Sequence, residues 1–148
     1  MDFFSAMDIS ASGLRLQRSQ MNVVSMNLAN ASTTRTPEGG PYRKRHLVFG
    51  AVPYQKGFED FLAASTGSEP PLEEARVVGV VASNLGLRKI YDPSHPDADG
   101  QGNVMMPNVN VMEEMVKMMT ATRSYEANVA AINATKSMAM RAIDIGSH

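Results

Sequence analysis

The sequence predicts a mainly α-helical protein in which long helices at the two ends of the chain pair in a coiled-coil-like helical domain. Two observations support this fold class. Apolar residues recur at helical spacing in both terminal segments, and most of the prolines and glycines lie between those segments. We therefore expect residues 1–36 and 108–148 to form a discontinuous terminal helical domain, with residues 37–107 as a small β-rich insert.

The first helix is predicted over residues 5–31, a segment with no proline and a single glycine. Ser5 and Asp8 have the spacing of a capping box, in which side chains bond the free backbone N–H groups of a helix start. Pro37 follows soon after the segment, and proline lacks the N–H that a continuing helix needs. The helix is therefore expected to begin at Ser5 and to end before Pro37.

Apolar side chains form two seams on this first helix when residues are placed at intervals of about 100°. The first seam comprises Met7, Leu14, Met21 and Leu28, and the second, on nearly the opposite side, comprises Ile9, Leu16 and Val23. A helix with two apolar sides needs more than one neighbour to bury them. The pattern favours packing among several helices.

The last helix is predicted over residues 111–145 and would be on the order of 50 Å long. Asn110 followed by Glu113 is a suitable helix cap. The main apolar seam comprises Val111, Met115, Met118, Tyr125, Val129, Ile132 and Ile143. A second seam comprises Met112, Val116, Met119, Ala130 and Ala134. We predict that the main seam and both seams of the first helix form an assembly interface.

Methionine and asparagine are the unusual residues of these helices. Eight of the twelve methionines lie after residue 104, and a flexible thioether can pack against partners of different shape as well as fill a helix core. Asn27, Asn30, Asn128 and Asn133 interrupt apolar segments, where an unpaired buried amide would be costly. We expect these amides to face water or one another.

The insert is expected to contain two or three short strands, because β-branched and aromatic residues alternate there with turn formers. The candidates are residues 42–49, 76–82 and 85–91, and the last two could pair as a hairpin around Ser83. Residues 57–75 are rich in acidic residues and include two adjacent prolines, which predicts a loop.

Composition excludes several classes of function. A formal charge of -1 gives no field that favours nucleic acid, and the absence of cysteine excludes thiolate chemistry and disulfides. No apolar segment approaches the ~20 residues that span a bilayer, and the amino terminus lacks the pattern of a cleaved signal peptide. Because no nucleophile, base and acid can be grouped, we expect no enzyme activity and no cofactor.

Two charged segments lie within the predicted insert. Residues 92–100 alternate carboxylates before a glycine, but the register leaves Met106 where a calcium loop needs an acidic residue, so a turn capped by its own side chains is the better interpretation. Residues 43–46, the basic Arg-Lys-Arg-His run, are interpreted as a charged strand edge rather than a nucleic-acid contact. Neither segment predicts a metal site.

Several motifs resemble those of the axial proteins of the bacterial flagellum, and of their rod proteins in particular. The helix exit Asn-Leu-Ala-Asn-Ala at residues 27–31, the segment at residues 34–43 and the helix entry at residues 91–99 and 106–111 carry the resemblance. The residues that match the family motifs are Asn27, Asn30, Pro41, Tyr42, Pro107, Asn108, Asn110, Glu114, Arg123, Glu126 and Asn128.

The resemblance implies a structural subunit of the flagellar rod that assembles with itself and with other rod proteins in a helical tube. It also implies a place in the periplasm-spanning part of the basal body, and export through the flagellar type III apparatus without a cleaved signal. Nucleic acid and membrane insertion are not expected. Two alternatives stay open: another axial subunit of the rod or hook junction, or a soluble helical adaptor of flagellar export.

Overall fold

The computed structural model describes residues 3–54 and 72–146, in which two long helices flank four short strands. In chain order the elements are α1 (Phe3–Ala29), β1 (Arg45–Pro53), β2 (Glu73–Ala82), β3 (Arg88–Tyr91), β4 (Asn103–Met106) and α2 (Val111–Gly146). The predicted fold class, terminal helices around a small β-rich insert, is confirmed. Within the described ranges neither helix is both long and apolar enough to cross a membrane.

The start of α1 differs from the prediction. The helix begins at Phe3, so Ser5 lies inside its first turn and is not the capping residue. A serine followed by an acidic residue three positions later also suits a helix interior, and propensity is a weak guide to helix ends. At the other end, the Ala31 N–H donates to the Leu28 carbonyl at 3.2 Å as the helix gives way to a turn.

The start of α2 agrees with the prediction. The Asn110 Oδ1 accepts hydrogen bonds from the backbone N–H groups of Met112 at 3.1 Å and Glu113 at 3.3 Å. These are two of the N–H groups that have no partner within a helix, so the asparagine caps it. The helix then continues from Val111 to Gly146.

The strands pair differently from the prediction. β1 pairs with β2 in one sheet and β3 with β4 in another, so the predicted hairpin around Ser83 is wrong. The Ser83 N–H donates to the Lys44 carbonyl at 2.7 Å, which extends the β1–β2 pairing instead of turning the chain. The β3–β4 pair is antiparallel, and the short strand β4 was not predicted because four residues give too little periodicity to detect.

The turn between β3 and β4 confirms the side-chain-capped interpretation of residues 92–100. The Asp92 carboxylate accepts bonds from the Ser94 backbone N–H at 3.1 Å and hydroxyl at 2.6 Å. The Asp99 Oδ1 accepts from the N–H groups of Gln101 at 2.9 Å and Asn103 at 2.8 Å. In residues 3–54 and 72–146 no group of three acidic, histidine or cysteine side chains could hold a metal ion.

The contacts divide the chain into two compact units. One contains Met1–Arg18, Phe49–Val78 and Thr122–His148, and the other contains Ser19–Val48 and Gly79–Ala121. Among the described residues, all apolar side chains that are almost completely buried lie in the second unit: Val23, Val24, Tyr42, Val104, Pro107, Val109 and Ala121. The division into a terminal helical domain and an insert stays a prediction.

The structure describes only the last part of the predicted acidic loop, residues 57–75. Residues 57–71 of that loop lie outside the described residues. Glu73, Glu74 and Ala75 belong to strand β2, so the loop prediction is wrong for them. The Ala75 N–H donates to the Ser12 hydroxyl of α1 at 3.2 Å, which gives this end of the strand a partner in the first unit.

Candidate functional site

The two predicted seams of α1 are only partly covered within the chain. In the second seam Val23 is buried, whereas Ile9 and Leu16 are partly buried. The first seam is partly buried throughout, at Met7, Leu14, Met21 and Leu28. Apolar surface therefore remains partly exposed on both sides of α1, and the role of the two seams in assembly stays a prediction.

The inward face of α2 is centred on Glu114 and Ala121, its two buried residues. Four residues of the predicted main seam lie near this face and are partly buried: Met118, Tyr125, Val129 and Ile132. Three others are exposed, namely Val111, Met115 and Ile143. The main seam is thus shared between a covered side and an open side, and its role in assembly stays a prediction.

The outward face of α2 carries apolar side chains that nothing in the described chain covers. Met112 is 71% exposed, Val116 is 60% exposed and Met119 is 58% exposed. Met115 lies beside them and is 48% exposed. Their spacing of three and four residues places them next to one another along one side of the helix. We call these four residues the outer face of α2.

A buried polar network joins the two helices in the second unit. We call it the Asn27 cluster and define it as Asn27, Tyr42, Lys44, Glu114 and Lys117. The Asn27 side chain is 1% exposed. Its Oδ1 accepts from the Tyr42 hydroxyl and the Arg45 N–H, both at 2.9 Å. Its Nδ2 donates to the Arg45 carbonyl and to Glu114 Oε2, both also at 2.9 Å.

The four bonds use the whole hydrogen-bonding capacity of the Asn27 amide, two donors and two acceptor lone pairs. The expectation that Asn27 faces water or another asparagine is therefore wrong. The amide instead bonds a carboxylate and the backbone where β1 begins. A one-dimensional pattern could not reveal this, because the partners lie far away in sequence.

Glu114 has two cationic partners. The Lys44 Nζ lies 3.0 Å from Glu114 Oε1, and the Lys117 Nζ lies 3.1 Å from the same oxygen. Lys44 and Lys117 also contact Glu113 at the more exposed edge of the cluster. Lys44 is 9% exposed and Glu114 is 1% exposed. A buried carboxylate is thus neutralised and hydrogen-bonded on both oxygens, the condition under which a buried charge is tolerated.

Burial and bonding act in opposite directions on the acid of this cluster. Burial by itself raises the pKa of Glu114, but hydrogen bonds from Asn27, Lys44 and Lys117 and the charge of Lys44 outweigh it, so its pKa lies below the usual value. Burial lowers the pKa of Lys117, and its bonds to Glu113 and Glu114 more than reverse that effect. Burial raises the pKa of the Tyr42 hydroxyl. At neutral pH the carboxylate is charged and the phenol is protonated.

These directions predict a loss of stability in acid. The folded-state pKa of Glu114 is lowered, so its contribution is complete above its unfolded pKa of about 4.3 and is lost as the pH falls through the lower folded value. We expect the urea midpoint of the full chain to fall between pH 5 and pH 3, and to fall less steeply in Glu114→Gln. Equal slopes in the two proteins would contradict a role for Glu114. Comparison of slopes is needed because the pKa values of Asp92 and Asp99 are also lowered, by hydrogen bonds.

The other residues of the family motifs occupy several environments. Asn30 bonds within the helix end, through Nδ2 to the Met26 carbonyl at 2.9 Å. Asn128 lies close to Gly13 in the first unit, where an added Cβ would approach Nδ2 to 3.1 Å. Pro107 is buried, Pro41 is partly buried, and the exposed members are Asn108, Asn110, Arg123 and Glu126. Only Asn27, Tyr42 and Glu114 of the motif residues meet in the cluster.

The sequence interpretation missed Lys44. It was assigned to a charged strand edge, but its ammonium group is buried against Glu114. One sequence signal points to a buried cation: Glu114 lies next to the capped start of α2, and a carboxylate that faces inward there needs a positively charged partner. The identity of that cation depends on the path of residues 30–44. The sequence of this segment has no periodic pattern from which the path could be predicted.

Two family models match the terminal segments of the chain. A family model described as flagella basal body rod protein matches residues 7–35, which include Asn27. Another, described as flagellar basal body rod FlgEFG protein C-terminal, matches residues 101–145, which include Glu114. The two helices that contribute to the cluster are thus similar to parts of structural proteins of the flagellar rod.

Full-length relatives make the assignment more specific. The chain is 42% identical to the flagellar basal-body rod protein FlgC of Borreliella burgdorferi, over 98% of each chain. It is 40% identical to FlgC of Bacillus subtilis and 37% identical to FlgC of Salmonella typhimurium, over 99% of each chain in both cases. The chain belongs to the FlgC family of flagellar basal-body rod proteins and is a structural subunit of that rod.

Proposed function

We propose that this chain assembles with copies of itself and with other rod proteins into the proximal part of a helical shaft that transmits torque through the periplasm. The outer face of α2 is the observation that carries the proposal. Its four apolar side chains are between 48% and 71% exposed in the single chain. Clustered apolar surface of this kind on a helix marks a site of protein contact.

The Asn27 cluster supports this function by fixing the start of α2. Bonds from Asn27 and Lys44 to Glu114 tie the first turn of α2 to the end of α1 and to the segment before β1. Side chains of the next turn then project from a helix whose start is held in place. A shaft that transmits torque needs subunits whose contact surfaces keep a fixed orientation, because a loose contact surface would yield under load.

The proposed role is structural and not catalytic, with no cofactor, no nucleic acid and no insertion into a membrane. We further propose export through the flagellar type III apparatus without signal cleavage. Another axial subunit of the rod or hook junction would use the same kind of helix contacts. A soluble adaptor of flagellar export, in contrast, would function without entering the rod, and this difference can be tested.

Val116→Asp is expected to abolish incorporation into the rod, because it places a charge at the centre of an apolar contact. The free chain should keep its stability to within about 0.5 kcal/mol, since Val116 is an exposed surface position. The measurement is immunodetection of the chain in detergent-extracted basal bodies, with soluble expression measured in parallel.

Asn133→Asp is the matched control. It adds the same charge at an exposed polar position of the same helix, and we expect rods to form. Normal incorporation of Val116→Asp would refute the proposed contact. Absence of the wild-type chain from purified rods of motile cells would refute the assembly function itself and favour the adaptor.

A further inference from the structure

The outer face of α2 is rich in methionine, an apolar residue whose sulfur can be oxidised. Three of its four residues, Met112, Met115 and Met119, are methionines. The chain has no cysteine and no tryptophan, so thioethers are its principal sites for reaction with peroxide. The methionines of this face are exposed to solvent in the single chain.

Other methionines provide an internal comparison. Met118 lies on the same helix but faces inward, near buried Ala121. It is partly buried, whereas the methionines of the outer face are exposed. Met138 and Met140 are 64% and 57% exposed, but residues two apart on a helix do not face each other, so they form no shared patch. On the outer face, in contrast, three exposed methionines lie next to one another.

Oxidation would change the nature of this face. A peroxide transfers one oxygen atom to the methionine sulfur, which loses two electrons to become a sulfoxide, and the reduced peroxide leaves as water or an alcohol. The product is polar and chiral where the thioether was apolar and flexible. A sulfoxide oxygen in an apolar contact has no hydrogen-bond donor there, and burial of such a group is unfavourable.

We propose that Met112, Met115 and Met119 form an oxidation site that controls assembly: peroxide converts them to sulfoxides in the free chain, and the oxidised chain is excluded from the rod. The proposal rests on the function proposed above, because the outer face must be a contact surface for its oxidation to matter. Once the contact has formed, the same sulfurs are shielded. Reduction by methionine sulfoxide reductase with a dithiol restores the thioether, releasing water and the disulfide.

The first experiment maps oxidation by mass spectrometry of peptides after hydrogen peroxide treatment of the purified full chain and of intact basal bodies. In the free chain we expect Met112 and Met119 to react at least several-fold faster than Met118. In the rod, all three outer-face methionines should be protected relative to the free chain. Equal reactivity of Met112 and Met118 in the free chain, or equal reactivity in both states, would overturn the proposal.

The second experiment separates oxidation from loss of the contact. M112Q/M115Q/M119Q places an uncharged polar group at each position in place of the sulfoxide, and M112L/M115L/M119L keeps each position apolar and unable to form a sulfoxide. We expect rod incorporation of the Gln variant to be at least tenfold lower than that of the Leu variant. Motility of Leu-variant cells should lose less to peroxide during rod growth than motility of wild-type cells. Equal incorporation of the two variants would overturn the proposal.

Failure of this proposal differs from failure of the proposed contact. If Val116→Asp enters the rod normally, the outer face is not a contact surface and both ideas are wrong. If Val116→Asp is excluded but the Gln variant is not, the contact stands and oxidative control is wrong. Urea midpoints of both triple variants within the range of the wild-type chain show that folding is not the cause of any difference.

Discussion

Lys44→Met is expected to lower the free energy of unfolding by about 3 kcal/mol, the low end of the cost of removing one partner of a buried ion pair. The lysine ammonium lies 3.0 Å from a Glu114 carboxylate that is almost completely buried. Methionine fills a similar volume but leaves that charge with less compensation. Lys117 remains beside Glu114 and keeps the loss from being larger. Urea unfolding of the full chain, followed by far-UV circular dichroism, measures the change.

The double variant Lys44→Met with Glu114→Gln tests the cause. If the loss comes from an uncompensated charge, neutralising the carboxylate should recover more than half of it, and the coupling between the two sites should exceed about 1 kcal/mol. Lys117→Met removes a more exposed partner of the same carboxylate and should cost less than Lys44→Met. A double variant as unstable as the sum of the single ones would show that the ion pair is not what matters.

Asn27→Leu should be at least as damaging, with an expected loss of about 4 kcal/mol. Leucine has a similar size but bonds none of the four groups that the amide satisfies. The Arg45 N–H and carbonyl, the Tyr42 hydroxyl and one Glu114 oxygen would each lose a partner. Each buried polar group left unsatisfied costs about 1–3 kcal/mol. The same urea experiment applies.

Asn30→Leu provides the comparison. Asn30 is in the turn that follows α1, and its amide bonds the exposed Met26 carbonyl within the helix end. Its loss also removes the acceptor of the partly buried Thr33 hydroxyl, which donates to the Asn30 Oδ1 at 3.2 Å, but it leaves no completely buried group unpaired. We therefore expect a change of about 1 kcal/mol, well below that at Asn27. Similar effects at Asn27 and Asn30 would mean that asparagine acts here only through local helix termination.

The helices were predictable from sequence because their signals are local. The cap of α2 could be predicted from Asn110 and the residues directly after it. Asn110 does accept bonds from the first N–H groups of the helix. The two-sided apolar pattern of α1 is also a local signal, and its role in assembly stays a prediction. The start of α1 was misplaced because Ser5 and Asp8 have the same spacing in a cap and in a helix interior.

Strand pairing and the Asn27 cluster were not predictable in the same way. Residues 76–82 and 85–91 looked like a hairpin because they are adjacent, yet β2 pairs with β1 and β3 pairs with β4. Pairing depends on contacts between distant segments, and short strands carry little information about their partner. The motif residues Asn27, Tyr42 and Glu114 were identified individually, but their meeting around Lys44 requires the three-dimensional path of the chain.

The hydrogen bond between Asn27 and Glu114 joins residues 87 positions apart. The ends of so long a loop must find each other before the bond contributes anything, and folding slows as the sequence separation of native contacts grows. During synthesis, the amide of the first helix has no carboxylate to bond until more than three-quarters of the chain has been made. This link between the two helices therefore cannot form during most of the time in which the chain is synthesised.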